Sequence, residues 1–270
     1  MNANQMTFGV EIETTVPAGT IAVGGHGRGL PVPQLPGWKA DRDPSIAAGF
    51  GREACEFVSP VYRGSEGLAK LLQDISAIKG MGAQVNPSCG LHIHVGFNRD
   101  DYDAMARLTT LVSNFETAIY ATTGTKNRER GRWCGSIRQH RNATTAIRSS
   151  QYNRYHVVNL GSEHPTLEFR PFAASLNAQK IAGYVCLCLA LVERAGNTKR
   201  APKWTPKPVV ATSPIHRSGE GQTQLTRLFY TLGWTKGRVN YVFGKVVEDG
   251  CLKKYKRELM RLARKYDAQP

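Results

Sequence analysis

Four short stretches of the chain alternate apolar and polar residues with a period of two, the signature of half-buried β-strands. Around Phe8–Glu13, Val10 and Ile12 fall on one side and Glu11 and Glu13 on the other. Cys55–Pro60 places Glu56 opposite Phe57, and Thr166–Arg170 places Glu168 and Arg170 opposite Leu167 and Phe169. Between Pro87 and Phe97, Leu91, Ile93 and Val95 alternate with His92 and His94. An ordinary wet face carries Thr, Lys and Gln. Here every such face carries carboxylates, imidazoles or a guanidinium.

Other stretches follow the helical period. Gly67–Lys79 repeats Leu68, Leu71, Leu72, Ile75 and Ile78, and predicts a helix. Asp100 and Asp101 read as the cap of a long helix running to about Thr122, with Met105, Leu108, Leu111, Val112, Phe115 and Ile119 on its stripe. Asn177–Arg194 predicts an apolar core helix, and Thr223–Gly233 and Cys251–Tyr266 two terminal helices. Tyr155–Leu160 and Pro165–Pro171 predict a hairpin. Strands and helices mix without a βαβ rhythm. The expected fold is therefore α+β, with a largely antiparallel sheet and helices packed on one face.

The connections differ in character. Pro17–Pro36 is rich in Gly and Pro and reads as a mobile loop or loose hairpin, with a lid over a site as the alternative. Thr125–Arg154 is a long basic connection, in which many arginines suggest a clamp on phosphate or carboxylate, against the plainer reading of a solvated charged loop. Residues 197–222 read as a linker or surface wrap. This divides the chain into a catalytic domain, 1–196, and a basic extension, 197–270.

Charge sharpens that division. The 270 residues carry a formal net charge of +15. Residues 197–270 hold a net +11 of it and residues 1–196 only +4. A basic tail implies an anionic partner. The polar stretch Met1–Thr7 lacks a signal-peptide layout, and no apolar run reaches membrane-spanning length. Six cysteines without framework spacing read as reduced thiols, so a cytoplasmic location without membrane attachment is expected.

Carboxylates and imidazoles gathered on one sheet face would repel one another unless a cation neutralised them. Oxygen-rich donor sets suit Mg²⁺, which bridges to substrate phosphates. HxH on a strand also occurs in zinc sites, and by itself names no metal.

In the order Phe8–Glu13, Asp43–Ile46, Glu56–Pro60, Cys89–Gly96, Arg154–Asn159 and Thr166–Pro171, these motifs resemble the amidoligase family, relatives of glutamine synthetase and glutamate–cysteine ligase. The resemblance spans roughly residues 6–195 and leaves the tail uncovered. It implies a glutamine-synthetase-like core with a funnel-shaped site and an ATP- and Mg²⁺-dependent carboxylate–amine ligase, Mn²⁺ being a substitute ion. ATP phosphorylates a carboxylate, and an amine attacks the acyl phosphate to give an amide or isopeptide bond, ADP and phosphate. By matched position, Glu11, Glu13, Glu56, His92 and Glu168 would hold metal, and His94 would face nucleotide phosphate. Arg170, with Arg132 or Arg154, would stabilise the transferring phosphoryl group and contact the nucleotide, and Glu56 is also counted among the catalytic groups. The substrates stay open: the carboxylate on an amino acid, a peptide or a wall polymer, the amine ammonia itself or one on an amino acid, a polyamine or a protein lysine. Homo-oligomers are common among such relatives. Two other readings stand beside this one. One is a zinc hydrolase using His92 and His94. The other is a nucleic-acid-binding protein stacking bases on Trp204, Phe229, Tyr230, Trp234, Tyr241 and Tyr255 of the basic tail.

Overall fold

The computed structural model describes residues 1–162, 164–200, 202–205, 220–234 and 249–270. Eight strands form one sheet: β1 (Thr7–Pro17), β2 (Leu30–Pro31), β3 (Lys39–Asp41), β4 (Arg52–Val58), β5 (Tyr62–Arg63), β6 (Gly90–Gly96), β7 (Val158–Asn159) and β8 (Thr166–Ala173). Their order is β2-β3-β4-β1-β6-β8-β7, with β5 paired to β1, and every strand pairing is antiparallel. The architecture is mixed α/β around a mostly antiparallel open sheet.

Register follows from burying one face, since a one-residue slip would put every apolar side chain in water. Glu11 pairs with His92, Glu13 with Glu56 and His94 with Glu168, while Ile12 pairs with Phe57 and Ile93 with Phe169. The register shifts between Leu91 and Ile93, where β8 carries Pro171. A proline has no N–H to give the ladder, so an irregularity is where a strand tolerates it.

The apolar face of the sheet is covered by helices. α1 (Gly64–Gly80) and α2 (Tyr102–Asn114) precede α3 (Glu116–Ala121), α4 (Asn127–Arg130) and α5 (Ala143–Tyr152). α6 (Ala178–Asn197) lies centrally and packs against α1, α2 and β6. Its Ile181–Val192 run is buried throughout, as the apolar run predicts, at about 1.5–3 kcal/mol per large side chain. α7 (Glu220–Thr231) and α8 (Asp249–Asp267) close the other side, α7 on α3 and α8 on α3 and α6. Leu225, Leu228, Leu259 and Leu262 thereby enter the same core as the sheet.

Several expectations change in detail. The long helix predicted from Asp101 is capped as expected, Asp101 Oδ1 accepting from Ala104 N at 2.8 Å. It breaks at Phe115 between α2 and α3. The break falls where Asn114 bonds the 203–205 segment and where buried Glu116 accepts from Ile137 N. The basic connection 125–154 is not one loop, since α4 and α5 are built into it. Phe229, Trp234 and Tyr255 are buried and Trp204 is half-buried, because the amphipathic faces of α7 and α8 turn inward. Of the described aromatics proposed for stacking, Tyr230 is exposed. Tyr241, the side chains of Cys251 and Leu252, and most of the 197–222 linker lie outside the described residues. The five described cysteines, Cys55, Cys89, Cys134, Cys186 and Cys188, are free and buried. Among the described residues, no helix is long and apolar enough to cross a membrane.

Candidate metal and nucleotide centre

The polar face of β1, β4, β6 and β8 brings seven predicted side chains together, because cross-strand pairing puts their Cβ atoms side by side. His92 is central. Its Nδ1 lies 3.1 Å from Glu11 Oε2, 3.6 Å from Glu168 Oε1 and 3.9 Å from Glu56 Oε1, and its Nε2 lies 3.5 Å from Glu13 Oε1. His94 Nε2 is 3.2 Å from Glu11 Oε1, and its Nδ1 is 3.2 Å from Thr166 Oγ1. Glu168 is fixed from two sides, by the Arg170 guanidinium and by Asn159 Nδ2 at 2.7 Å. Gly90 N donates to Glu13 Oε2.

Charges on this face do not balance locally, and acidity responds. Burial drives the Glu56 carboxyl well above its ordinary value, with the charges of Glu11, Glu13, Asp43 and Asp41 acting the same way. Burial also works to raise Glu11, but hydrogen bonds and charge from His92 and His94 outweigh it and hold it well below. Glu168 is likewise lowered, the fields of His92 and Arg170 overcoming its burial. Burial pulls His94 down, but Glu11 overcomes it and raises that imidazole.

Three groups of donor atoms can each hold a cation: Glu11–Glu56–His92, Glu11–His94–Glu168 and Glu13–Asp43–Glu56. In each, the donor atoms lie within 4.8 Å of one another. The residues fit a divalent ion for a further reason. Among the described residues, His92 Nε2 and Asp41 Oδ1 are buried without a hydrogen-bond partner, an arrangement that is costly unless something binds there. A cavity of about 440 Å³ opens over the cluster, lined by five of these acids and both histidines, by Arg154, Arg170 and Asn159, and by His26 and Gly27 of the glycine-rich loop. That loop is tied to the cavity wall, Gly27 N donating to Asp41 Oδ2 at 2.8 Å.

Of the predicted arginines, Arg154 and Arg170 line the cavity. Arg132 does not: it is exposed, with its guanidinium 4.3 Å from the centre of the Trp133 ring. There its cation rests against the aromatic face of Trp133. Arg138 is spent on Glu116 and Glu129. Asp43, Asn159, Thr166 and His26 are site residues that sequence reasoning did not assign. Asp43 and Asn159 both lie inside the motifs Asp43–Ile46 and Arg154–Asn159, and that membership is the available signal.

Fold and face together define a mixed α/β protein that gathers carboxylates and imidazoles over a mostly antiparallel sheet. Residues 32–192 match the family described as "Putative amidoligase enzyme", more than half of the chain, and the protein belongs to that family. Membership implies a ligase. The matched span begins after β1, so Glu11 and Glu13 are tied to the family's region through the register of the sheet. No curated protein matches the chain.

Proposed function

We propose that the protein is an ATP- and Mg²⁺-dependent carboxylate–amine ligase with a glutamine-synthetase-like core and a funnel-shaped site. The observation that carries this reading is the set of three overlapping acid-rich groups, two of them wholly within one cavity that has Arg154 and Arg170 at its wall. Glu11, Glu13, Glu56, His92 and Glu168, now with Asp43 and His94, would hold the divalent ions. When bound, those ions neutralise phosphate charge, which is most of what phosphoryl transfer asks of a protein.

The chain's own groups act around them. Arg170 and Arg154 face the transferring phosphoryl group. Asn159 and Arg170 hold the Glu168 carboxylate in place, and Thr166 orients His94. The His26–Gly27 loop covers the cavity edge and restricts water. The γ-phosphoryl group of ATP passes to a substrate carboxylate oxygen and ADP leaves. The amine then attacks the acyl carbon, expelling phosphate and giving up one N–H proton to solvent, which leaves an amide.

The zinc hydrolase reading is less well supported. His92 and His94 belong to different donor groups, each dominated by carboxylate oxygen. Zinc prefers nitrogen and sulfur, whereas oxygen-rich sets favour Mg²⁺ or Mn²⁺. The deciding experiment is calorimetric titration of a non-hydrolysable ATP analogue with and without Mg²⁺, on the intact chain and on Glu168→Gln. Mg²⁺-dependent binding lost in the variant supports the ligase. Absence of binding with any divalent ion overturns it.

A further inference from the structure

A second, smaller cavity adjoins the acid cluster. Its volume is about 150 Å³, and its walls include Glu13, Arg128, Trp133, Arg154, Tyr155 and Arg170. Arg128 is unusual among them. It is 7 % exposed, yet no carboxylate of the described residues lies within ion-pair distance of it. Arg138 and Arg170, by contrast, are both paired with glutamates. One Arg128 nitrogen donates to the Arg170 carbonyl at 2.8 Å, and its buried Nε has no partner. A guanidinium taken out of water and left without an anion is costly, so it marks a place where an anion belongs.

The surroundings are built to hold that guanidinium. It lies flat on the backbone of Gly90: a Cβ there would stand 2.9 Å from both terminal nitrogens and 3.0 Å from Cζ. Gly90 also donates its N–H to Glu13. One glycine thus sets the Arg128 fork beside the acid cluster. The Arg154 and Arg170 guanidinium groups sit 5.3 and 5.8 Å from the centre of the Tyr155 ring. That gathers further positive charge at the cavity's edge.

We infer that this cavity is the subsite for the carboxylate substrate, and that Arg128 is an unassigned recognition residue in it. The inference rests on the ligase reading and names its acid: a carboxylate carried on a group no larger than an amino-acid residue. Size excludes a nucleotide, since ligands of that class need roughly 300–1,000 Å³. The larger neighbouring cavity meets that requirement. A planar fork pairs with two coplanar carboxylate oxygens, and the aromatic walls of Trp133 and Tyr155 suit the short carbon chain behind them.

The test uses the intact chain and the fluorescence of Trp133, assigned with Trp133→Phe. The probes are acetate, aspartate and glutamate, each against inorganic phosphate, with and without the non-hydrolysable ATP analogue and Mg²⁺. The expected result is a saturable response to carboxylates, weakened at least tenfold in Arg128→Lys and in Gly90→Ala, with phosphate weaker. Arg128→Lys keeps the charge and loses the fork, and unchanged melting of that variant separates recognition from folding. Because Arg154 is exposed, Arg154→Met gives a second arm if Arg128→Lys does not fold. Phosphate binding as tightly as carboxylate would overturn the assignment, as would silence toward every carboxylate in both conditions. So would a response indifferent to both arginine variants. Nucleotide binding is read in its own titration, so its failure is seen separately from failure of the subsite.

Discussion

Asn159 on β7 stands across the strand pair from Glu168 on β8, and its side-chain amide donates to Glu168 Oε2 at 2.7 Å. The other oxygen of Glu168 pairs with Arg170. This carboxylate, 3.6 Å from His92 Nδ1, is therefore held from behind, with its orientation fixed before any ion arrives.

That arrangement predicts the behaviour of Asn159→Ala. Partners that orient a liganding group typically matter 10–100-fold in metal affinity or activity. Divalent-ion binding should weaken by about that factor while the melting temperature changes little, because β7 keeps its backbone pairing. Titration with Mn²⁺ beside thermal melts checks it. Unchanged Mn²⁺ affinity would remove Glu168 from the ion-binding set.

Glu56 makes a prediction with two signs. Its carboxyl is pushed well above the usual range by burial and by Glu11, Glu13, Asp43 and Asp41. In Glu56→Gln the crowding of negative charge is relieved. The ion-free protein should gain stability, and should lose at least tenfold in affinity for Mg²⁺ or Mn²⁺. Melts in EDTA and in excess Mg²⁺ should therefore shift in opposite directions relative to the unsubstituted chain. A variant destabilised in both conditions would mean that Glu56 serves packing instead of a cation.

Much of this site was legible because strands encode it with period two. Glu11, Glu13, His92, His94, Glu168 and Arg170 alternate with residues that are visibly apolar, so their common face follows from the sequence. Asp43 and Asn159 were harder, since a turn and a two-residue strand have no periodicity to read. Arg132 misled for a related reason. In a basic connection charge alone cannot say which arginine turns inward, and only tertiary packing sends Arg128 under Gly90 and Arg132 out over Trp133. The terminal helices were found by their apolar stripes. That those stripes enter the same core as the sheet depends on long-range contacts with α3 and α6 that no local pattern carries.

Glu193 predicts a pH dependence away from the cavity. Burial raises its carboxyl to about 7, although Ala3 N donates to it at 2.8 Å. A group whose folded value lies above its unfolded value binds more protons in the native state. Its stabilising contribution is complete below about pH 4.5 and is lost as pH rises through about 7. Wild-type stability should therefore fall across that window. Glu193→Gln, which keeps an acceptor for Ala3 and cannot ionise, should show a shallower fall, with its advantage largest above pH 7. Equal slopes in the two melting series would show that Glu193 does not carry the titration.

The arginines of the basic connection should separate by role. Glu116 is fully buried: Oε2 accepts from Ile137 N at 2.9 Å and Oε1 from Arg138 Nε at 3.0 Å. Removing Arg138 strands that carboxylate in the core, next to the break between α2 and α3. Losing one partner of a buried pair costs about 3–5 kcal/mol. Burial already raises the Glu116 carboxyl, so part of that cost is recovered when the acid takes up a proton. Arg138→Met should accordingly be strongly destabilised at pH 8 and less so at pH 5. Arg132→Ala, an exposed change whose main contact is the face of Trp133, should stay within about 0.5 kcal/mol at both. Urea melts of the two variants at both pH values give the comparison. Equal small effects would mean that Glu116 is neutral in the folded protein without help from Arg138.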